Sequence, residues 1–192
     1  MKHLPASISA DAARAKIERG IAFRVDRSLG RIIPTFRSPI ETGRPLPFLE
    51  LAWMPQYLLT FALHGPRAPE SVSATVDGYS SQFALFLAEK QVLDDPIDAD
   101  LPEPELAPER AEYIAREGLL KWVMRHHRTG HVKVGALLST EVLRYPFWVY
   151  YYQRRRGLLD VRVADAVTGE LPGSKTKYAI VRAFERVAAR ST

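Results

Sequence analysis

The sequence predicts an α+β fold in which two helix-plus-antiparallel-hairpin repeats are followed by a C-terminal helix. Each half of the chain opens with apolar residues at helical spacing, continues into an aromatic segment around a proline, and reaches a strand-like segment that ends in aspartate. A length of 192 residues with 46% hydrophobic content is enough for a packed core. We expect the repeats to occupy residues 1–93 and 109–192, joined by an acidic linker, residues 94–108.

The first element of each half is an amphipathic helix. Ser9 is the expected N-cap of the first helix, and Pro108 is the expected first residue of the second. The predicted apolar stripes consist of Ala13, Ile17, Gly20 and Ile21 in the first helix and of Ala111, Ile114, Ala115, Gly118, Leu119 and Trp122 in the second. A shift of 98 residues places Gly20 on Gly118. Since a glycine costs a helix about 1 kcal/mol relative to alanine, we expect both glycines to permit close packing against a sheet.

The next element in each half is a strand near a proline. Residues 51–59 align with residues 142–150 at an offset of 91, which places Pro55 on Pro146. Aromatic and β-branched residues favour strands, and proline is tolerated at the first residues of a strand. We therefore expect a strand to begin close to each proline.

A second strand completes a hairpin in each half. Residues 72–77 align with residues 160–165 at an offset of 88, and apolar and polar residues alternate in the later copy. The arginine-rich run 154–157 then forms the tip of the second hairpin. Residues 174–190 show the apolar stripe of a C-terminal helix, which consists of Ile180, Ala183, Phe184, Val187 and Ala188.

The linker between the repeats combines four prolines with six acidic residues and no basic one. Proline removes backbone donors and like charges repel, so we expect this segment to be extended. The net charge of the whole chain is +5, and the rest of the chain is correspondingly more basic. A basic body favours an anionic partner, although surface charge is also common in proteins without one.

Two short motifs carry a resemblance to a known family. The motif YPFWV at residues 145–149 precedes a strand that ends in DAVTGE at residues 165–170. With the preceding helix, this arrangement resembles a PepSY-type module over about residues 109–171. The first half resembles it more faintly, since Asp77 is kept but Ser81 stands where the motif has glycine. The resemblance implies a small helix-on-antiparallel-sheet module, usually non-catalytic, that binds or restrains another protein.

The aspartate and glycine of the second motif also have a purely structural interpretation. An aspartate side chain can accept backbone N–H groups across a turn, and glycine readily adopts a positive φ. We therefore expect Asp165 and Gly169, and likewise Asp77, to shape the ends of the hairpins.

The chain lacks the usual signatures of catalysis. It has no cysteine, which excludes disulfides, thiolate metal ligands and cysteine nucleophiles. The run 169–176 does not fit the phosphate-loop pattern, because a serine separates its last glycine from the lysine. His126, His127 and His131 cluster near a predicted helix end, where they are either cations that stabilise the helix C-terminus or metal ligands. We predict a protein that is not an enzyme and binds no cofactor.

Basic and aromatic residues around the second hairpin form the predicted binding site, which consists of Arg154, Arg155, Arg156, Tyr150 and Tyr152. We expect it to contact a protein partner or a second copy of the chain, in a non-catalytic interaction or assembly role. The alternative is nucleic-acid binding through Arg/Lys clusters and exposed aromatics. The N-terminus lacks a signal-peptide pattern and no segment is apolar enough to span a bilayer, so we expect a cytoplasmic protein without a membrane span.

Overall fold

The structure is a computed structural model that describes residues 1–25, 45–65, 69–88, 91–97, 99, 101–126, 132–153 and 159–190. In chain order its elements are β1 (Lys2–His3), α1 (Ala10–Val25), β2 (Phe48–His64), β3 (Ser71–Asp77), β4 (Phe83–Leu85), β5 (Leu93–Asp94), α2 (Pro108–His126), β6 (Lys133–Gln153), β7 (Leu159–Asp165) and α3 (Ser174–Arg190). Within the described residues, the strands form one sheet in the order β4-β3-β2-β6-β1-β5, and β7 also pairs with β6. The sheet is mostly antiparallel, so the predicted α+β class is confirmed.

The chain divides into two compact units. Unit 1 comprises residues 1–4 and 54–145, and unit 2 comprises residues 5–53 and 146–192. Both units take residues from each of the two long strands, β2 and β6. The predicted boundaries on either side of the acidic segment therefore do not coincide with the boundaries of the compact units.

Each helix packs on the hairpin of the other half of the sequence. In unit 1 the core around α2 consists of Tyr57, Leu59, Phe61, Ala74, Val76, Ala111, Ala115 and Leu119. In unit 2 the core around α1 consists of Ala13, Ile17, Tyr150 and Ala164. The repeats expected at residues 1–93 and 109–192 predict each helix on the hairpin of its own half, and the structure differs. The difference has a physical reason, since an apolar stripe specifies that a helix is buried but does not specify which of two similar hairpins buries it.

The segment before each helix is bound to the turn of the hairpin on which that helix packs. In unit 1 the carbonyl oxygen of Gly78 accepts the backbone N–H groups of residues 105 and 106, at 3.0 and 2.9 Å. In unit 2 the carbonyl oxygen of Ala166 accepts those of residues 7 and 8, at 2.8 and 2.9 Å. The donor residues of the two sets are 98 residues apart in the sequence, and the acceptor residues are 88 apart. These are the offsets at which the helices and the second strands align.

Both long strands begin earlier than predicted, so that Pro55 and Pro146 lie inside them. The ladder between β2 and β3 starts where Gln56 pairs with Asp77, and the ladder between β6 and β7 starts at Phe147. Each proline thus immediately precedes a ladder. A residue without an N–H group is tolerated there because the ladder of the hairpin begins one residue later.

The predicted aspartate turns are confirmed in both hairpins. Asp165 Oδ1 accepts the backbone N–H groups of residues 167 and 168, each at 2.8 Å. Asp77 Oδ1 makes the same two bonds in the first hairpin, at 2.9 and 2.6 Å. Gly169 has a φ of 72°, and Ser81 adopts the equivalent left-handed conformation with a φ of 59°. Serine tolerates this conformation less well than glycine does.

The predicted N-cap, the predicted start of the second helix and one of the two predicted close-packing glycines are confirmed. Ser9 Oγ accepts the backbone N–H of Ala12 at 3.3 Å, which is the expected N-cap bond of α1. Helix α2 begins at Pro108. Gly118 faces β4, where a Cβ atom added to it would fall 2.5 Å from the ring of Phe83. This glycine therefore permits the close packing of α2 on the sheet.

The acidic segment 94–108 is attached to unit 1 along part of its length. Pro102 is buried, and its carbonyl oxygen accepts a hydrogen bond from Arg144. Arg144 is only 4% exposed and also pairs with Glu103 at 3.3 Å, so a buried charge obtains its acceptors from this segment. Leu106 packs against the core of unit 1. The described part of the segment is bound to the unit through these contacts rather than acting as a free spacer.

Candidate functional site

The binding site that the sequence predicts is only partly described by the structure. Arg154, Arg155 and Arg156 lie outside the described residues. Tyr150 is 5% exposed, and Tyr152 is half-buried. The expectation of exposed aromatic rings is therefore not met at Tyr150, which belongs to the core of unit 2.

The two tyrosines belong to a polar network inside unit 2. The Tyr150 hydroxyl donates to Glu18 Oε1 at 3.0 Å, and the Tyr152 hydroxyl donates to Asp160 Oδ2 at 2.9 Å. The two rings stack with centroids 6.0 Å apart. Asp160 is 2% exposed, and its other carboxylate oxygen accepts from Lys177 Nζ at 2.5 Å. The network joins α1, β6, β7 and α3, and its bonds stabilise the unit.

The electrostatics of this network keep both tyrosines protonated. Burial raises the pKa of the Tyr150 hydroxyl above its usual value, and its hydrogen bond to Glu18 raises it further. Burial also raises the pKa of Tyr152, and the negative charge of Asp160 adds to the effect. At neutral pH both hydroxyls are hydrogen-bond donors, so neither is prepared to act as a base or a nucleophile.

The histidine cluster is described at one position only. His127 and His131 lie outside the described residues. His126 is exposed, donates from Nδ1 to the carbonyl oxygen of Trp122 at 2.9 Å, and stacks on the Trp122 ring at 5.4 Å. In the part of the chain that the structure describes, no three His, Asp, Glu or Cys side chains are arranged to hold a metal ion.

The outer face of α2 carries exposed apolar side chains that do not belong to the predicted binding site. Tyr113 is 55% exposed, Leu120 42% and Met124 75%. They follow one another at spacings of seven and four residues and therefore share one side of the helix. We call Tyr113, Leu120 and Met124 the α2 outer stripe. The spacing is the sequence signal that could have revealed it.

The opposite side of α2 is fully occupied by the core of unit 1. Its buried residues are Ala111, Ala115, Leu119 and Val123. Other exposed apolar side chains, such as Leu87 on the segment after β4 and Leu138 on β6, lie on different elements. Scattered apolar residues are normal on protein surfaces, whereas these three share one face of a single helix. The α2 outer stripe is therefore the better candidate for a contact surface.

Charge is distributed unequally between the two units. Unit 2 contains 17 of the 27 Lys and Arg residues and nine of the 22 Asp and Glu residues. It therefore carries a formal charge of +8, while unit 1 carries −3. On α3, the side chains of Lys175, Tyr178 and Arg182 are exposed. The basic character expected from the sequence thus belongs to unit 2 and not to the whole chain.

Comparisons with known proteins do not identify the chain. No protein-family model matches it, and neither a curated protein nor a solved structure does. None of the helices in the described ranges is long and apolar enough to cross a membrane. The PepSY-type resemblance therefore stays a prediction from the sequence.

Proposed function

We propose that this chain is a non-catalytic protein-interaction module and that the α2 outer stripe is its contact surface. The observation that carries the proposal is the exposure of Tyr113, Leu120 and Met124 on one side of a helix whose other side is fully buried. Complete burial of one such side chain contributes about 1.5–3 kcal/mol. Covering the stripe with a partner surface therefore provides a substantial part of a binding free energy.

The residue types and their support fit a binding surface. Tyrosine and methionine are enriched at protein interfaces, where tyrosine adds a hydrogen-bonding hydroxyl and methionine adapts to irregular surfaces. The inner side of helix α2 is anchored in the core of unit 1, because its own residues Ala111, Ala115 and Leu119 are completely buried. A helix anchored in this way loses little conformational entropy when it binds, so the free energy of apolar contact is retained.

Two further observations favour a non-catalytic role. The polar network of unit 2 pairs Tyr150 with Glu18 and Tyr152 with Asp160, so these groups already have partners inside the fold. The PepSY-type resemblance implies the same class of function. Because the chain contains no cysteine, it also fits a reducing compartment, and we extend the proposal to a cytoplasmic location.

Nucleic-acid binding is the second candidate function, and the charge of unit 2 is the observation that favours it. A formal charge of +8 attracts polyanions, and exposed Lys175 and Arg182 flank exposed Tyr178 on α3. Replacing Arg154, Arg155 and Arg156 together by alanine separates the candidates. If unit 2 binds nucleic acid there, affinity falls for all sequences alike and the salt dependence flattens by up to about three units of slope. We expect instead that nucleic-acid binding is weak and that the salt slope is little changed.

Photocrosslinking in cells tests the proposed contact surface. A photoreactive amino acid replaces Met124 in one variant and Asp11, an exposed residue on α1, in the control variant. We expect a protein adduct from position 124 and a much weaker one from position 11. An adduct at position 124 that nuclease removes, or no adduct there above the control, would overturn the proposal.

A further inference from the structure

We infer that the partner of the α2 outer stripe is the same helix of a second copy, packed antiparallel about a two-fold axis. The inference rests on the proposed function, because it names the partner of the same surface. Most soluble oligomers are symmetric, and a two-fold interface requires a surface that is complementary to itself. Helix α2 meets that requirement in both its apolar side chains and its charges.

The apolar side chains complement one another when the axis passes midway between residues 118 and 119. Tyr113 of each copy then lies opposite Met124 of the other, where a thioether and an aromatic ring make a favourable contact. The two copies of Leu120 lie on either side of the axis, about 4.5 Å apart along the helix at a rise of 1.5 Å per residue. All three residues of the stripe are therefore used, and each large side chain has an apolar neighbour.

The charges beside the stripe favour the antiparallel orientation. Residues 108–117 of α2 carry three acidic and two basic side chains, a net charge of −1, and one of the basic ones, Arg110, lies over the Tyr113 ring. Residues 118–126 carry Lys121 and Arg125, a net charge of +2. An antiparallel pair places the acidic half of one helix beside the basic half of the other, while a parallel pair would place like charges together. Arg116 does not oppose this arrangement, because it is directed toward β6, where it donates to the carbonyl oxygen of Gly135 at 2.9 Å.

Glu117 and Lys121 are available to pair between copies. Within one helix their charged atoms are 3.9 Å apart, and their side chains are 45% and 68% exposed. Such an exposed pair contributes little to the stability of the helix. In the proposed dimer, Glu117 of each copy lies beside Lys121 of the other, so the same two residues form two pairs across the axis.

The size of the surface predicts a weak dimer. From Tyr113 to Met124 the helix rises about 17 Å. A contact of this length between two helices lies at the small end of specific interfaces. We therefore expect dimerisation to depend on concentration in the micromolar range or above.

Sedimentation equilibrium of the full chain tests the inference. Wild-type protein should show reversible dimerisation, and Leu120→Glu should weaken it at least tenfold, because it places two carboxylates beside the axis. Tyr178→Glu on α3 is the matched control, since Tyr178 is 43% exposed and Leu120 is 42% exposed. The control should dimerise like the wild type, and circular dichroism should show that both variants are folded.

A charge exchange tests the orientation. Glu117→Lys alone should weaken dimerisation roughly tenfold, because both intermolecular pairs become repulsive. Adding Lys121→Glu should restore most of the affinity, which a non-specific apolar contact would not do. A wild type that stays monomeric at all concentrations, or a Leu120→Glu variant that dimerises normally, would overturn the inference. If position 124 still crosslinks to a different protein in cells, the proposed function would stand while this inference fails.

Discussion

Trp148 donates its indole N–H to the backbone oxygen of Ile8 at 2.8 Å, which fixes the segment before α1 on the strand β6. Tyr57 makes the corresponding bond in unit 1, where its hydroxyl donates to the backbone oxygen of Leu106 at 2.7 Å. Trp148 follows Tyr57 by 91 residues, and Leu106 follows Ile8 by 98. Equivalent contacts therefore fix each helix to the hairpin of the other half of the chain.

Removing the hydroxyl of Tyr57 should destabilise the protein. Tyr57 is 6% exposed, so Tyr57→Phe removes one buried hydrogen bond and leaves the carbonyl of Leu106 without this donor. We expect a loss of about 0.5–1.5 kcal/mol in the free energy of unfolding, measured by urea denaturation. Tyr113→Phe is the control, since the Tyr113 side chain is exposed and its change should be close to zero. Equal stability of both variants would mean that the bond to Leu106 does not support the fold.

Gly118→Ala should destabilise the protein although alanine favours helices. The new Cβ would fall 2.5 Å from the Phe83 ring, so α2 or β4 must move. We expect the free energy of unfolding to decrease by about 1–2 kcal/mol in total. In Gly20→Ala the new Cβ would lie 3.3 Å from the Cδ1 atom at the end of the exposed Leu171 side chain, which can move away. The free energy of unfolding of this variant should increase by up to about 1 kcal/mol. Two variants that shift the urea midpoint in the same direction would contradict the close packing of α2 on β4.

Gly169→Val should be destabilising through the backbone. Gly169 has a φ of 72°, which is costly for any residue with a Cβ atom, so we expect a loss of about 1–2 kcal/mol. The converse change at the equivalent turn position, Ser81→Gly, should stabilise the protein by up to about 1 kcal/mol, because it relieves a φ of 59°. Thermal unfolding of the two variants measures both effects. A stabilised Gly169→Val protein would mean that the turn is formed differently.

The buried tyrosines predict a loss of stability at high pH. Burial raises the folded-state pKa of Tyr150 and Tyr152 above the ordinary value of 10.0. Above that pH the folded protein keeps protons that the unfolded chain releases, so the free energy of unfolding decreases as the pH rises. Below that pH both tyrosines are protonated in the folded and the unfolded state, so their contribution to the free energy of unfolding is fully present. Burial raises the pKa of Tyr57 as well. We therefore expect the absorbance titration of tyrosinate to lose part of its late phase in the double variant Tyr150→Phe and Tyr152→Phe, while Tyr57 retains the rest. A single titration step near pH 10.0 for all eight tyrosines of the wild type would contradict this.

Local features of the fold could be predicted from the sequence because their causes are local. The N-cap at Ser9, the helix start at Pro108 and the turn at Asp165 each depend on a few neighbouring residues. The pairing of helices with hairpins could not be predicted in this way. It depends on contacts between distant residues, such as that of Trp148 with Ile8, which periodicity does not encode. The strands β1, β4 and β5 were missed because two or three residues are too few for a periodic pattern.

The candidate site was harder to predict than the fold. Tyr150 and Tyr151 are both buried, although adjacent strand residues point to opposite faces, so both faces of β6 are covered there. A sequence that is apolar on both faces of a strand does not show which aromatic ring reaches the solvent. The α2 outer stripe was missed for a different reason. The apolar residues on the other side of the helix, Ala111 and Leu119 among them, already accounted for its periodicity.

Oxidation of the three methionines is the most direct test of the α2 outer stripe as a contact surface between copies. In one copy of the chain Met124 is 75% exposed, Met1 52% and Met54 1%, so the protein contains its own reactive and unreactive references. Peroxide converts accessible methionines to the sulfoxide, and peptide mass spectrometry gives the rate at each position. We predict that raising the protein concentration slows the oxidation of Met124 severalfold and leaves that of Met1 unchanged, and that Leu120→Glu removes this protection. A constant ratio of the Met124 and Met1 rates across the concentrations tested would contradict the contact between copies through the α2 outer stripe.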